Sequence, residues 1–133
     1  MIVVDTHLII YLFVEAGRTA EAEAVLERDP MWVAPMLWRS EFRNTLATLV
    51  RRNAQTLGAA LTIVTEAEGW LRGREYTVNS SVVLQLAHAS RCTAYDCECV
   101  SLAQDLGVTF VIAGGEVLKA FPSLAVSRNR FVA

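Results

Sequence analysis

Short β-branched runs alternate along this chain with longer stretches of helical period, a pattern that predicts strands and helices in turn. Ile2 to Val4 is the first such run and ends at Asp5, after which His7 to Val14 carries apolar residues at helical intervals. Arg18 to Arg28 predicts a polar helix closed by Asp29-Pro30, because proline stops a helix and restricts the residue before it. Trp32 to Ala34 predicts a second strand, and Pro35 to Asn53 the longest helix, with Pro35 suited to its first turn. Thr56 to Leu71 predicts another helix, Tyr76 to Val78 a strand, and Ser80 to Ser90 a helix capped by Ser80. Thr93 to Leu106 predicts a helix closed by Gly107. Thr109 to Ile112 reads as a buried strand, Glu116 to Phe121 as a short helix before Pro122, and Leu124 to Val126 as a last edge strand. Strands separated by helices imply one α/β domain over residues 1–133, a parallel sheet covered by helices on both faces. In such sheets ligands bind at the carboxyl ends of the strands, where Asp5 and the turn from Ala113 to Glu116 are expected.

The chain of 133 residues is long enough to bury a core unaided, and its hydrophobic fraction of 53% is high. No apolar run reaches the ~18 residues of a membrane span, and Met1-Ile-Val-Val-Asp lacks the basic start and cleavage site of a signal peptide. A soluble, cytoplasmic protein without membrane association is expected. Cys92, Cys97 and Cys99 are odd in number and their spacing from His88 matches no zinc pair, so they read as reduced, packed thiols. A net charge of -2 excludes nucleic-acid binding by overall field. Any RNA affinity requires a local basic patch and a cation that neutralises carboxylates.

Three carboxylates stand where a core would prefer none. Asp5 at a strand-to-helix junction has two readings, an N-cap or a site residue at a strand end. Glu41 heads a stripe of Asn44, Thr45, Thr48 and Arg52 on the long helix. That stripe is either a solvated face or the wall of a groove, with Arg52 about 16 Å along it as a phosphate contact. Asp96 belongs to a capping box with Thr93, yet lies at the edge of the apolar arc of Cys99, Val100, Ala103 and Leu106, while Glu98 and Asp105 point to solvent. An inward carboxylate needs a cation, and no Lys or Arg stands at local spacing. Oxygen ligands select Mg²⁺ or Mn²⁺, which suits phosphodiester hydrolysis. Trp38, Trp70 and the Leu8, Tyr11, Leu12, Phe13 cluster read either as core or as an apolar surface for a partner. Arg39 and Arg43 face away from Glu41 and are expected to meet a partner's acids.

Four segments carry a family resemblance: Ile2-Val3-Val4-Asp5-Thr6, Leu37-Trp38-Arg39-Ser40-Glu41-Phe42-Arg43-Asn44, Ala94-Tyr95-Asp96-Cys97-Glu98 followed by Leu102-Ala103-Gln104, and Leu118-Lys119-Ala120-Phe121-Pro122. In this order and spacing the chain resembles the PIN-domain ribonucleases, and among them the VapC-type toxins of type II toxin–antitoxin pairs. The resemblance implies a three-layer α/β/α sandwich, a Mg²⁺ or Mn²⁺ site on Asp5, Glu41 and Asp96, endonucleolytic cleavage of RNA, and homodimerisation. It also implies inhibition by a cognate antitoxin, whose helix is expected in an apolar groove. Thr6, His7, Asn44 and Glu116 are expected to support the site. The fourth acidic station departs from the family pattern: Ala113-Gly114-Gly115 stands where Thr-x-Asp is usual. Gly115 therefore stands in place of the expected Asp, which leaves two outcomes, an enzyme weakened to three carboxylates or a scaffold without catalysis. A non-catalytic module that binds an antitoxin or RNA is the competing reading.

Overall fold

The computed structural model describes residues 1–14 and 18–133. Five strands, β1 (Ile2–Val4), β2 (Trp32–Pro35), β3 (Glu75–Tyr76), β4 (Thr109–Ile112) and β5 (Ala125–Ser127), form one sheet in the order β3-β2-β1-β4-β5. Every pairing is parallel. Helices α1 (Thr6–Phe13), α2 (Thr19–Arg28), α3 (Leu37–Arg51) and α4 (Leu57–Leu71) precede β3, and α5 (Ser80–His88) and α6 (Ala94–Leu106) precede β4. The short α7 (Glu116–Ala120) precedes β5, and α8 (Arg128–Val132) follows it.

The strands read as unbroken apolar runs because both sheet faces are covered. Ile2, Val4, Trp32, Ala34 and Val111 turn to one face, where Leu8, Ile9, Val25, Trp38, Phe42 and Leu71 cover them. Val3, Val33, Phe110 and Ile112 turn to the other, beneath Val83, Cys97, Val100 and Val117. The result is a three-layer α/β/α sandwich. Chain order runs outward from β1 to β3 on one side and from β4 to β5 on the other. The carboxyl ends of β1 and β4 thus flank the point where the topology switches, the usual place for a ligand crevice in an open parallel sheet.

Several boundaries differ from the sequence reading. Pro35 closes β2 instead of opening the long helix, and α3 starts at Leu37; a strand end beside the two-residue edge strand β3 tolerates the missing N–H. Asn79, not Ser80, caps α5, its side chain accepting from the Val82 N–H at 3.1 Å. Thr56 and Thr93 sit outside α4 and α6 as caps, each accepting an N–H bond at 3.1 Å. Gly107 ends α6 in the left-handed conformation, φ 66°, as its placement predicts. Helix α8 was not expected, since Arg128-Asn129-Arg130 gives no apolar period; Ser127 caps it through the Arg130 N–H. Among the described residues, no helix is long and apolar enough to cross a membrane.

Arg39 and Arg43 also correct the reading, because acids of the same chain engage them. Arg39 grips Glu75 with Nε to Oε2 at 2.6 Å and Nη2 to Oε1 at 2.8 Å, and reaches Glu68 at 3.1 Å. Trp38 Nε1 adds a bond to Glu75 at 2.8 Å, and Arg43 lies 3.7 Å from Glu68. The network ties α3 and α4 to the edge strand β3. The Arg39 bonds, with help from Trp38, hold the Glu75 carboxyl below the ordinary glutamate range against the opposing effect of burial. Stability from this group is therefore present above the unfolded glutamate pKa and is lost as pH falls through the lowered folded value. Glu75→Ala is expected to cost about 2 kcal/mol, less than a fully buried pair because Arg39 stays partly exposed. Urea titrations at neutral and acid pH check this: the gap between native and variant midpoints should narrow in acid, and a constant gap would remove the charge from the explanation.

Candidate functional site

The strand ends gather the chemistry. Asp5 leaves β1 in extended conformation, φ -76° and ψ 163°, and its Oδ1 accepts the Leu8 N–H at 3.1 Å. The N-cap reading of Asp5 holds, and the same residue lines a cavity of about 220 Å³. That cavity is bounded by Asp5, Thr6, His7, Glu41, Tyr95, Asp96, Cys99 and the run from Ala113 to Glu116. The hydroxyl of buried Thr6 donates to Glu41 Oε1 at 2.7 Å and fixes one oxygen of an otherwise exposed side chain. Asp96 enters from the first turn of α6, where its own N–H is held by Thr93. Asp5, Glu41 and Asp96, far apart in the chain, therefore share one wall-to-wall space.

Charge perturbs the groups in it. His7 Nδ1 stands 3.7 Å from Asp5 Oδ2, within ion-pair range and beyond a good direct hydrogen bond. Its interaction with Asp5 raises the imidazole pKa, with Glu41 contributing, against burial and the positive charge of Arg128. Burial pushes the Asp96 carboxyl up, and the charge of Asp5 adds to this against the Thr93 bond and His7. Burial drives the Cys99 thiol well above its ordinary range, and Asp5, Glu41, Asp96 and Glu98 push it further. Glu98 does not face open solvent as the helical wheel implied. It is half-buried, and burial together with Glu41 raises its pKa.

The remaining candidates divide. Glu116 lines the cavity, although its carboxylate lies 3.8 Å from Lys119. Asn44 and Arg52 do not line it, and both are exposed on the long helix or at its end. The stripe beyond Glu41 bonds to itself, Thr45 to the Glu41 carbonyl at 3.2 Å and Thr48 to the Asn44 carbonyl at 3.0 Å. Tyr95 and Cys99 also belong to the cavity. Cys99 was legible in part, because it follows Asp96 by three residues and shares its helix face. A larger cleft of about 550 Å³ between the start of α5 and α6 contains a single titratable side chain, Asp105, and no convergent group.

The turn from Ala113 to Glu116 places Gly115 at the start of α7. Gly115 caps α7 at φ 97° and ψ -161°, a region essentially reserved for glycine. An added Cβ would meet open space there, so the backbone and not crowding opposes an aspartate.

Among the described residues, no three His, Cys, Asp or Glu side chains form a ready-made metal cage. The donor chemistry nonetheless fits a hard divalent cation. Four carboxylates and one imidazole line the cavity, no Lys or Arg does, and oxygen donors favour Mg²⁺ or Mn²⁺. Burial first, and then the charge of Asp5, disfavours the ionised form of Asp96. Its raised pKa means that the stability linked to it is present with the proton on and is lost as pH rises through the folded value. Asp96→Asn is expected to raise the Tm of the metal-free protein at neutral pH by about 1–3 °C, a gain that shrinks in acid. Calorimetry in EDTA at both pH values reads this, and a lowered neutral Tm would contradict it. No protein-family model matches the chain, and no curated protein matches it in sequence.

Proposed function

We propose that this chain is a divalent-metal-dependent endoribonuclease, the cytoplasmic toxin of a VapBC-like pair, working with an incomplete fourth corner. The observation that supports it is the convergence of Asp5, Glu41 and Asp96 in one cavity at the topological switch. These three would hold Mg²⁺ or Mn²⁺, with Glu116 at the rim. When bound, the ion supplies positive charge to a phosphoryl oxygen and acidifies an attacking water. Thr6 keeps Glu41 turned to the cavity, and Asp5 is held by its cap bond to α1. His7, whose Nδ1 faces Asp5 and which Asp5 keeps protonated to higher pH, offers its other ring nitrogen, Nε2, as a proton donor to the leaving oxygen.

A groove between α3 and α4 supports the partner half of the reading. Leu46, Ala47, Val50, Leu57, Leu61 and Val64 line it, with Arg43 and Arg51 at its edges. Leu57 and Leu61 are 64% and 58% exposed, and such a surface suits the apolar face of an antitoxin helix. Homodimerisation belongs to the same reading. The second reading, a binding module without catalysis, draws on this groove and on the Gly115 turn.

The test is cleavage of a mixed RNA pool by the purified chain with Mn²⁺ or Mg²⁺. Slow cleavage that EDTA abolishes is the expected result. Intact RNA in both metals, with the chain folded, would discard the nuclease in favour of the binding module.

A further inference from the structure

The acidic cavity has no cation in its lining, yet an RNA strand needs one close by. Lys119 is near, but its ammonium lies against Glu116 at 3.8 Å. Arg52, the cation singled out by the sequence, ends α3 and lines no part of the cavity. The other direction along α1 is different. Tyr11 stands one turn beyond His7, their ring centroids 6.3 Å apart. Two guanidinium groups surround its phenol ring, Arg18 at 5.7 Å and Arg128 at 5.0 Å from the centroid.

We infer that Tyr11, with Arg18 and Arg128 about its ring, is the subsite that holds an RNA strand beside the acidic cavity. The inference rests on the ribonuclease reading and deepens it. Single-stranded RNA is bound by stacking bases on aromatic rings or guanidinium planes and by pairing phosphates with arginine, and this cluster offers all of these elements. Its parts divide the work. Arg18 is exposed, so a phosphate in solvent can reach it, and Tyr11 is half-buried. Arg128 is buried, and its Nη1 lies 3.0 Å from Glu21 Oε2 without hydrogen-bonding alignment. Its role is to position Tyr11, whose ring its guanidinium covers at 5.0 Å. One helical turn, about 5.4 Å, separates His7 from Tyr11 along α1, so a strand crossing the carboxylates meets the cluster directly.

The experiment measures fluorescence anisotropy of a labelled single-stranded RNA of about 12 nucleotides on the full chain carrying Asp5→Asn, so that the strand is not consumed. Affinity is followed against salt for this chain and for versions that add Arg18→Ala, Arg18→Lys, Tyr11→Ala or Arg52→Ala. Arg18→Ala is expected to weaken binding about fivefold and to flatten the slope of log K against log salt by about 0.7, with Arg18→Lys restoring the slope. Tyr11→Ala is expected to weaken binding about tenfold with less change in slope. Arg18 is exposed, so its replacement leaves the fold intact and the result interpretable even where Tyr11→Ala unfolds. Unchanged affinity and slope in Arg18→Ala would overturn the subsite, as would a loss confined to Arg52→Ala. Absence of RNA binding by every version, at low salt and with the chain folded, would instead remove the ribonuclease reading itself and this subsite with it.

Discussion

Asp5→Asn is expected to reduce metal-dependent RNA cleavage by at least about 100-fold, the upper end of what loss of a group merely supporting a metal ligand costs. The substitution is informative because Asp5 does two jobs with two oxygens. Oδ1 accepts the Leu8 N–H that starts α1, and an asparagine carbonyl can do the same, so the helix keeps its cap. What disappears is the negative charge that faces His7 and raises the pKa of Asp96. Cleavage and Tm should therefore separate, with activity collapsing while the Tm moves little. Asp5→Ala makes the contrast, since it removes cap and charge together and adds a destabilisation of about 1 kcal/mol. Cleavage by Asp5→Asn within threefold of the native rate would exclude this cavity as the seat of chemistry.

The order of strands and helices was legible because two physical signals agree along most of the chain. Apolar runs such as Ile2 to Val4 and Phe110 to Ile112 are buried on both faces, and caps such as Thr56, Thr93 and Gly107 fix the adjoining helix ends. Proline was the weak guide. Pro35 is as compatible with a strand end as with a first helical turn, and only its register against Tyr76 decides between them. The convergence of Asp5, Glu41 and Asp96 was foreseeable in part, from Asp5 at a strand's carboxyl end, the polar stripe that Glu41 heads, and the inward turn of Asp96 without a local cation. The fate of Arg39 was not. Its partner Glu75 lies 36 residues away on an edge strand, and nothing in a helical wheel reports a contact made through the fold. Arg128 was hidden for the same reason, in a helix without apolar period whose guanidinium reaches Tyr11 at the other end of the chain.

Gly115→Asp and Gly114→Asp are expected to behave oppositely, although both place a carboxylate in the same turn. At Gly115 the backbone stands at φ 97° and ψ -161°, where any residue with a Cβ bears about 1–3 kcal/mol of strain. An aspartate there also gains no cap bond, because a capping residue needs extended backbone at φ below zero. Gly115→Asp should therefore lower the urea midpoint and improve Mn²⁺ binding less than threefold. Gly114 lines the cavity, lies outside the left-handed region and has open space about its Cβ position. Gly114→Asp should hold its stability to within about 1 kcal/mol and tighten Mn²⁺ about tenfold by adding an oxygen ligand and a charge. Mn²⁺ titration by calorimetry, beside urea unfolding in EDTA, reads both quantities on the same samples. A Gly115→Asp protein of native stability with tenfold tighter Mn²⁺ would mean that the turn redraws itself around a side chain. The expected result carries the opposite meaning, that the backbone at Gly115 holds its conformation and a fourth carboxylate enters the cavity more readily through Gly114.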